Sequence, residues 1–172
     1  MINTHSVRPH KTPWIAFICS VFIPGFGQIY NQNYLFGSIL IILEVLINTL
    51  GKINLSIYYS FNGEFLKSHE ILNYQWALFY PCVYAFAQWH AYNEAININM
   101  QYNSGQVDSH KKNATHLNGL FIGLTVGFNL GLIWGFMGSP ILGTLLGGMI
   151  GAIVGAVTEY IIIRHFRYKS SM

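Results

Sequence analysis

Apolar and polar positions fall in long alternating blocks along this chain. A run of about 20 apolar residues crosses the hydrocarbon core of a bilayer as a helix. The runs near that length lie at residues 35–50, 73–92, 117–137 and 141–163. An earlier run, Trp14 to Ile23, has only ten residues, which as a helix reach about 15 Å, half of the core thickness. We therefore predict four full spans and a short N-terminal half-helix or re-entrant segment; the alternative is five spans with the C-terminus outside.

The polar blocks between these runs complete the prediction of an all-α integral membrane protein. The predicted segments are a cytoplasmic N-terminal tail at 1–12, a membrane region at 13–92, a polar cytoplasmic loop at 93–116, a glycine-zipper transmembrane hairpin at 117–163 and a basic cytoplasmic tail at 164–172. Within 13–92 the pattern predicts a short broken helix at 13–31, spans at 35–50 and 73–92, and a loop at 51–72.

Composition and charge agree with a membrane location. Of the 172 residues, 52% are hydrophobic and only 9% are charged, against about 25% charged in a typical soluble domain. The net charge of +3 suits anionic lipid headgroups, so we expect the lipid bilayer as a partner and no nucleic acid. Basic residues cluster at 8–11, 111–112 and 164–169. Because such clusters stay in the cytoplasm, both termini are predicted to be cytoplasmic.

Both C-terminal spans carry glycine at every fourth position. This spacing places the glycines along one face of a helix, where another helix backbone can approach closely. We predict that the two stripes pack against each other; the alternative is a face left open for a homo-oligomer or another membrane protein. The helix-packing residues are Gly119, Gly123, Gly127, Gly131, Gly135, Gly143, Gly147, Gly151 and Gly155.

Glu44 lies in the middle of an otherwise apolar run. A carboxylate at membrane depth is costly unless it is paired, hydrated or protonated. We expect it to form an intramembrane polar site with Gln28, Asn31 or His90. Its role there is either to fix helix packing through a protonated carboxyl or to bind a proton or ion.

Pro24, Gly25 and Gly27 predict a turn or helix break after the first short run. The histidines lie without the spacing of a metal site, so we expect neither a metal nor another cofactor.

Residues 11–44 resemble the TM-two (two-transmembrane) domain of bacterial membrane proteins. The resemblance rests on Lys11-Thr12-Pro13-Trp14, on P-G-F-G-Q-I-Y-N at 24–31 and on Gly37. The sequence Q-W-H-A-Y-N-E-A at 88–95 is similar to the D-A-Y-x-x-A ending of some relatives, with His90 where Asp is commoner. The resemblance implies a small multi-pass membrane protein, in a family mostly without an assigned activity.

The predicted function is therefore a bacterial inner-membrane protein of structural, accessory or assembly type, without catalytic activity. The alternative is a small transporter or channel subunit that uses Glu44 as a proton or ion site.

Overall fold

A computed structural model describes residues 10–104 and 116–169 of the protein. The described residues form helices and connecting turns, with one isolated β-bridge between Phe136 and Ser139. The all-α prediction is confirmed. The helices are α1 (Pro13–Phe22), α2 (Phe26–Tyr30), α3 (Tyr34–Gly51), α4 (Ile53–Phe61), α5 (Phe65–Ile71), α6 (Tyr74–Ala77), α7 (Phe79–Ser104), α8 (Asn118–Trp134) and α9 (Pro140–Lys169).

The chain divides into two compact units, and α3 and α7 each contribute residues to both. The first unit comprises residues 1–41 and 87–116, and the second comprises residues 42–86 and 117–172. Outside the described residues lie 1–9, 105–115 and 170–172. Most of the predicted N-terminal tail, the predicted polar loop after Ser104 and the end of the predicted basic tail fall there.

Small side chains form the apolar core of the first unit. Ala16 of α1 and Ala91 and Ala95 of α7 are fully buried, and Tyr30 packs against them. A Cβ on Gly27 would overlap the carbonyl oxygen of Ala16 and lie 2.6 Å from the Cβ of Ala91. Glycine is therefore required where α2 meets α1 and α7.

The chain breaks between α1 and α2, at the residues where the sequence predicts a break. Gly25 has φ +109° and a Cβ there would overlap the carbonyl oxygen of Gly37. Both facts favour glycine, since an L side chain would be strained in this conformation and would have no room. Pro24 precedes this position and is fully buried.

In the second unit, larger apolar residues form the core. Ile47 of α3, Ile53 of α4, Leu72, Ala77 of α6 and Leu132 of α8 are buried together. This unit also contains the pair of long apolar helices α8 and α9, which run antiparallel in contact.

The prediction of a loop at 51–72 is wrong, because these residues form α4 and α5. The charges of this segment suggested a loop, but Ser56 and Ser60, four residues apart on α4, form a buried polar face that meets Ser68 of α5. Ser56, Ser60 and Ser68 are at most 3% exposed.

The span predicted at 73–92 is interrupted and extended. α6 ends at Ala77 and α7 begins at Phe79. Pro81 explains the interruption, since it has no N–H for the carbonyl of Ala77, four residues earlier. α7 continues to Ser104, a little beyond the helical extension to about Met100 that the sequence predicts for the start of this polar segment. α9 continues to Lys169, so the predicted basic tail begins as helix.

Within residues 10–104 and 116–169, two helices are long and apolar enough to cross a membrane. They are Tyr34–Gly51, with a mean hydropathy of 1.9, and Pro140–His165, with a mean hydropathy of 2.0. α8 has 17 residues and α1 has 10, so both are shorter than this standard. Four full spans therefore stay a prediction.

Candidate functional site

Three amide side chains around α2 attach this short helix to α7; we call Gln28, Asn31 and Asn33 the amide clamp. Gln28 Nε2 donates to the carbonyl oxygen of Ala87 at 2.8 Å. Asn31 Nδ2 donates to the carbonyl oxygen of Ala91, also at 2.8 Å. Residues three apart share a helix face, as do carbonyls four apart. The two amides on one face of α2 can therefore reach two carbonyl oxygens on one face of α7 at the same time.

Glu94 receives the remaining amide donors of the clamp. Asn33 Nδ2 donates to one carboxylate oxygen at 2.8 Å, and Asn31 Nδ2 donates to the other at 3.2 Å. His90 lies one turn earlier on α7, with Nδ1 at 3.9 Å from Glu94 Oε2 and 3.4 Å from Gln28 Nε2. The site thus combines the carboxylate of Glu94, the imidazole of His90 and the amide side chains of the clamp.

The orientation of Asn31 is fixed by these bonds. Its side chain is fully buried, and its nitrogen faces two acceptors, Ala91 O and Glu94 Oε2. Reversing the amide would place an oxygen against both of them. Asn31 Oδ1 is one of the buried side-chain oxygens that have no hydrogen-bond partner among the described residues.

The start of α1 is attached to the same unit by a second set of bonds. The main-chain N–H of Lys11 donates to Asn99 Oδ1 at 2.7 Å, and Asn99 Nδ2 donates to the carbonyl of Lys11 at 2.6 Å. The N–H of Thr12 donates to the hydroxyl of Tyr30 at 3.1 Å. These contacts fix the residues just before α1 against α2 and α7.

Glu44 belongs to the second unit, and its hydrogen-bond partners differ from the expected ones. Asn48 Nδ2 and the hydroxyl of Tyr80 donate to Glu44 Oε1, at 3.2 Å and 3.3 Å. The structure therefore brings Gln28, Asn31 and His90 together around Glu94. Sequence reasoning missed Tyr80, although an aromatic hydroxyl in the next apolar run was a candidate donor.

The glycine stripes of α8 and α9 face each other. A Cβ on Gly127 would overlap the carbonyl oxygen of Gly147 and lie 2.8 Å from its carbonyl carbon. The remaining pairs show the same backbone contact. They are Gly119 with Gly155, Gly123 with Gly151, and Gly131 and Gly135 with Gly143.

Glu159 caps the N-terminus of α8 from α9. Its carboxylate accepts the main-chain N–H groups of Asn118 at 3.2 Å and Gly119 at 2.9 Å. The first N–H groups of a helix lack partners within the helix, and a carboxylate there also stabilises the helix dipole. The spacing of the sequence could have indicated this contact, because Glu159 follows Gly155 by four residues and so continues the glycine stripe of α9.

Four buried serines connect α4, α5 and the start of α9. Ser60 Oγ lies 2.6 Å from Ser68 Oγ, and Ser56 Oγ lies 2.8 Å from it. Ser139 Oγ donates to Ser60 Oγ at 2.9 Å. Every hydroxyl of this cluster therefore has a partner inside the unit.

The part of the chain that the structure describes is thus helical, and two of its helices are able, by length and composition, to cross a membrane. Comparisons with protein-family models, with curated proteins and with solved structures give no match. The function must therefore be argued from the geometry.

Proposed function

We propose that this is a multi-pass protein of the bacterial inner membrane with a structural, accessory or assembly role and without catalytic activity. The observation that carries the proposal is the amide clamp. Gln28 and Asn31 are fully buried and use their N–H groups to hold the carbonyls of α7. Hydrogen bonds of this kind join helices in a bilayer, each contributing about 0.6–2 kcal/mol.

The distribution of side chains supports a membrane location. The largest fully buried side chains include Gln28, Asn31 and several serines, whereas Leu35, Trp134 and Ile153 are 77%, 80% and 66% exposed. Water would penalise this arrangement, because exposed apolar surface costs about 25 cal/mol per Å². In hydrocarbon the exposed apolar surface carries no such penalty, and polar groups are stable when they are buried and hydrogen-bonded to each other.

The proposed topology has four full spans, a half-crossing at α1 and both termini in the cytoplasm. The ten residues of α1 support a half-crossing, and the antiparallel contact of α8 with α9 supports two consecutive crossings. The resemblance of residues 11–44 to the TM-two domain supports a multi-pass front half.

The glycines are proposed to pack within the chain. A homo-oligomer or partner protein on the glycine face would have to separate α8 from α9, since the paired glycines contact each other's backbones. In an accessory role, a partner protein would therefore bind to surfaces other than the paired glycine faces.

Membrane extraction and thiol labelling test the proposed location and topology. In cells expressing a Cys19→Ser and Cys82→Ser background, the protein should resist alkaline extraction from membranes. Cysteine substituted at Ser171 should react with an impermeant maleimide only after the membrane is opened. Labelling of intact cells at this position would contradict the even number of crossings.

One observation favours transport as the second candidate function. Glu44 lies inside the candidate span Tyr34–Gly51 and is held by Tyr80 and Asn48. Intramembrane carboxylates of this kind mark proton or ion paths in many membrane proteins.

Flux measurements in liposomes separate the two functions. The structural proposal predicts no proton or cation flux above that of empty liposomes. A flux that falls in Glu44→Gln, but not in the control Glu64→Gln at the end of the α4–α5 turn, would replace the structural proposal with the transport one.

A further inference from the structure

Gln28 determines which protonation state of His90 fits the amide clamp. Gln28 Nε2 donates to the carbonyl oxygen of Ala87 at 2.8 Å, and the same nitrogen lies 3.4 Å from His90 Nδ1. An amide nitrogen carries two hydrogens and accepts no hydrogen bond, so His90 Nδ1 must be the acceptor of this contact. The imidazole that fits this arrangement is therefore neutral, with its proton on Nε2.

Glu94 offers His90 a competing partner one turn further along α7. Its Oε2 lies 3.9 Å from His90 Nδ1, which is ion-pair distance once the imidazole is charged. Two uncharged side chains of neighbouring helices also contact the ring. They are Gln28 of α2 and Phe36 of α3, whose ring centroid lies 4.8 Å from that of His90. Glu94 is thus the charged group that acts on the imidazole.

Protonation of His90 changes both of these contacts. A proton on Nδ1 points at the N–H groups of Gln28, so two donors face each other and this contact is lost. The same proton can bond to Glu94 Oε2, which already accepts from Asn31 Nδ2 at 3.2 Å. An imidazolium on this oxygen therefore competes with Asn31. The bonds from the clamp to the carbonyls of α7 remain, so α2 keeps part of its attachment.

The titratable pair is partly accessible, whereas the amides that it contacts are not. The side chains of His90 and Glu94 are 27% and 18% exposed, and Gln28 and Asn31 are fully buried. Histidine is also the side chain whose charge ordinarily changes between about pH 5 and pH 8. A proton from the surroundings can therefore reach the edge of a buried hydrogen-bond network at moderate pH.

We propose that His90 and Glu94 form a proton-sensitive switch for the amide clamp. With His90 neutral, its Nδ1 accepts from Gln28, and Asn31 keeps both of its acceptors. Protonation transfers the Nδ1 contact from Gln28 to Glu94 and weakens two of the contacts that attach α2 to α7. The switch rests on the clamp that carries the proposed structural role, and it makes that role depend on pH.

NMR of the full chain in mild detergent, with isotope-labelled histidine, measures the protonation of the ring. Nitrogen chemical shifts distinguish a ring nitrogen that carries a proton from one that does not. At about pH 8 we expect His90 Nδ1 to lack a proton, and at about pH 5 we expect both ring nitrogens to carry one. A proton on Nδ1 of the neutral ring, or a ring that stays neutral at the lower pH, would refute the switch.

The attachment of α2 is measured by the distance between spin labels on Phe26→Cys and Tyr102→Cys, two exposed positions on α2 and α7, in the cysteine-free background. The distance distribution should shift between about pH 8 and pH 5 and return when the pH is restored. His90→Gln gains no charge, so its distribution should not respond to pH. Glu94→Gln should move the response to lower pH by at least about one unit, because a nearby opposite charge favours the imidazolium. The NMR titration of wild type decides the proposal even if these variants fail to fold.

His69→Gln is the matched control. His69 also uses its Nδ1 in a hydrogen bond, with the Tyr74 hydroxyl at 2.7 Å, but it belongs to the second unit, so this variant should respond to pH as wild type does. A response that persists in His90→Gln or disappears in His69→Gln would overturn the proposal. A protein that resists alkaline extraction but shows no response would refute the switch alone, whereas release by alkaline treatment would refute the proposed function.

Discussion

Replacing Gly127 by alanine tests whether backbone contact between α8 and α9 stabilises the protein. The added Cβ would overlap the carbonyl oxygen of Gly147 and lie 2.8 Å from its carbonyl carbon. Both are main-chain atoms in the middle of a helix, so no side-chain rotation can relieve the contact. The helices must separate locally.

The expected cost follows from two opposing effects. Alanine is favoured over glycine inside a helix by about 1 kcal/mol. Overpacking that cannot relax costs about 1–3 kcal/mol, and a gap of 0.5–1 Å at neighbouring pairs loses roughly a quarter to a half of their dispersion energy. We therefore expect Gly127→Ala to lower the free energy of unfolding by about 1–2 kcal/mol.

The measurement is reversible unfolding in mixed micelles with increasing sodium dodecyl sulfate, followed by tryptophan fluorescence. Gly51→Ala is the matched control. Its Cβ would meet mainly the side chain of Ile53, at 3.0 and 3.2 Å, rather than the main chain of another long helix. This variant should unfold within about 1 kcal/mol of wild type.

The double variant Gly127→Ala with Gly147→Ala sharpens the test. Each added Cβ meets the carbonyl oxygen of the other glycine, so the separation that accommodates one also accommodates part of the other. The loss of unfolding free energy in the double variant should therefore be smaller than the sum of the losses in the two single variants. Wild-type stability in both single variants would refute close backbone packing at this pair.

Two shorter predictions concern polar contacts. Asn31→Leu should destabilise the protein by about 1–3 kcal/mol, because the donor to Ala91 and Glu94 is lost from a fully buried position. The same micelle titration measures this loss, and an unchanged midpoint would contradict the clamp. Glu159→Gln should lower the free energy of unfolding by about 0.5–1 kcal/mol, because the charge at the N-terminus of α8 is lost while an oxygen still faces Gly119. Hydrogen exchange at the first turn of α8 should accelerate, and unchanged exchange would contradict capping.

Periodicity made part of this structure predictable. A glycine every fourth residue on two successive apolar runs indicates one small-residue face on each, and the short turn between them limits the pairing to an antiparallel one. The helix break at residues 24–27 was equally readable, since proline and glycine act through local geometry. These features depend on residues near each other in sequence.

The partners of polar side chains were not predictable in this way. Gln28 and Ala87 are 59 residues apart, and Glu44 and Tyr80 are 36 residues apart. Such pairings depend on how whole helices are arranged. The serine cluster was missed for a further reason, since a serine-containing segment with several charges resembles a solvated loop until its neighbours are known.

The choice of side chains at the helix contacts follows from the medium that we propose. In hydrocarbon, apolar contacts between helices gain little over contacts with lipid, so small residues and hydrogen bonds must supply the attraction and the specificity. This chain uses both, with alanine and glycine where backbones approach and the amide clamp where orientation matters. Leucine in place of Asn31 would remove the hydrogen bonds to Ala91 and Glu94 that distinguish one packing of α2 on α7 from another. For this reason the loss of the clamp should change how these helices pack as well as how stable the protein is.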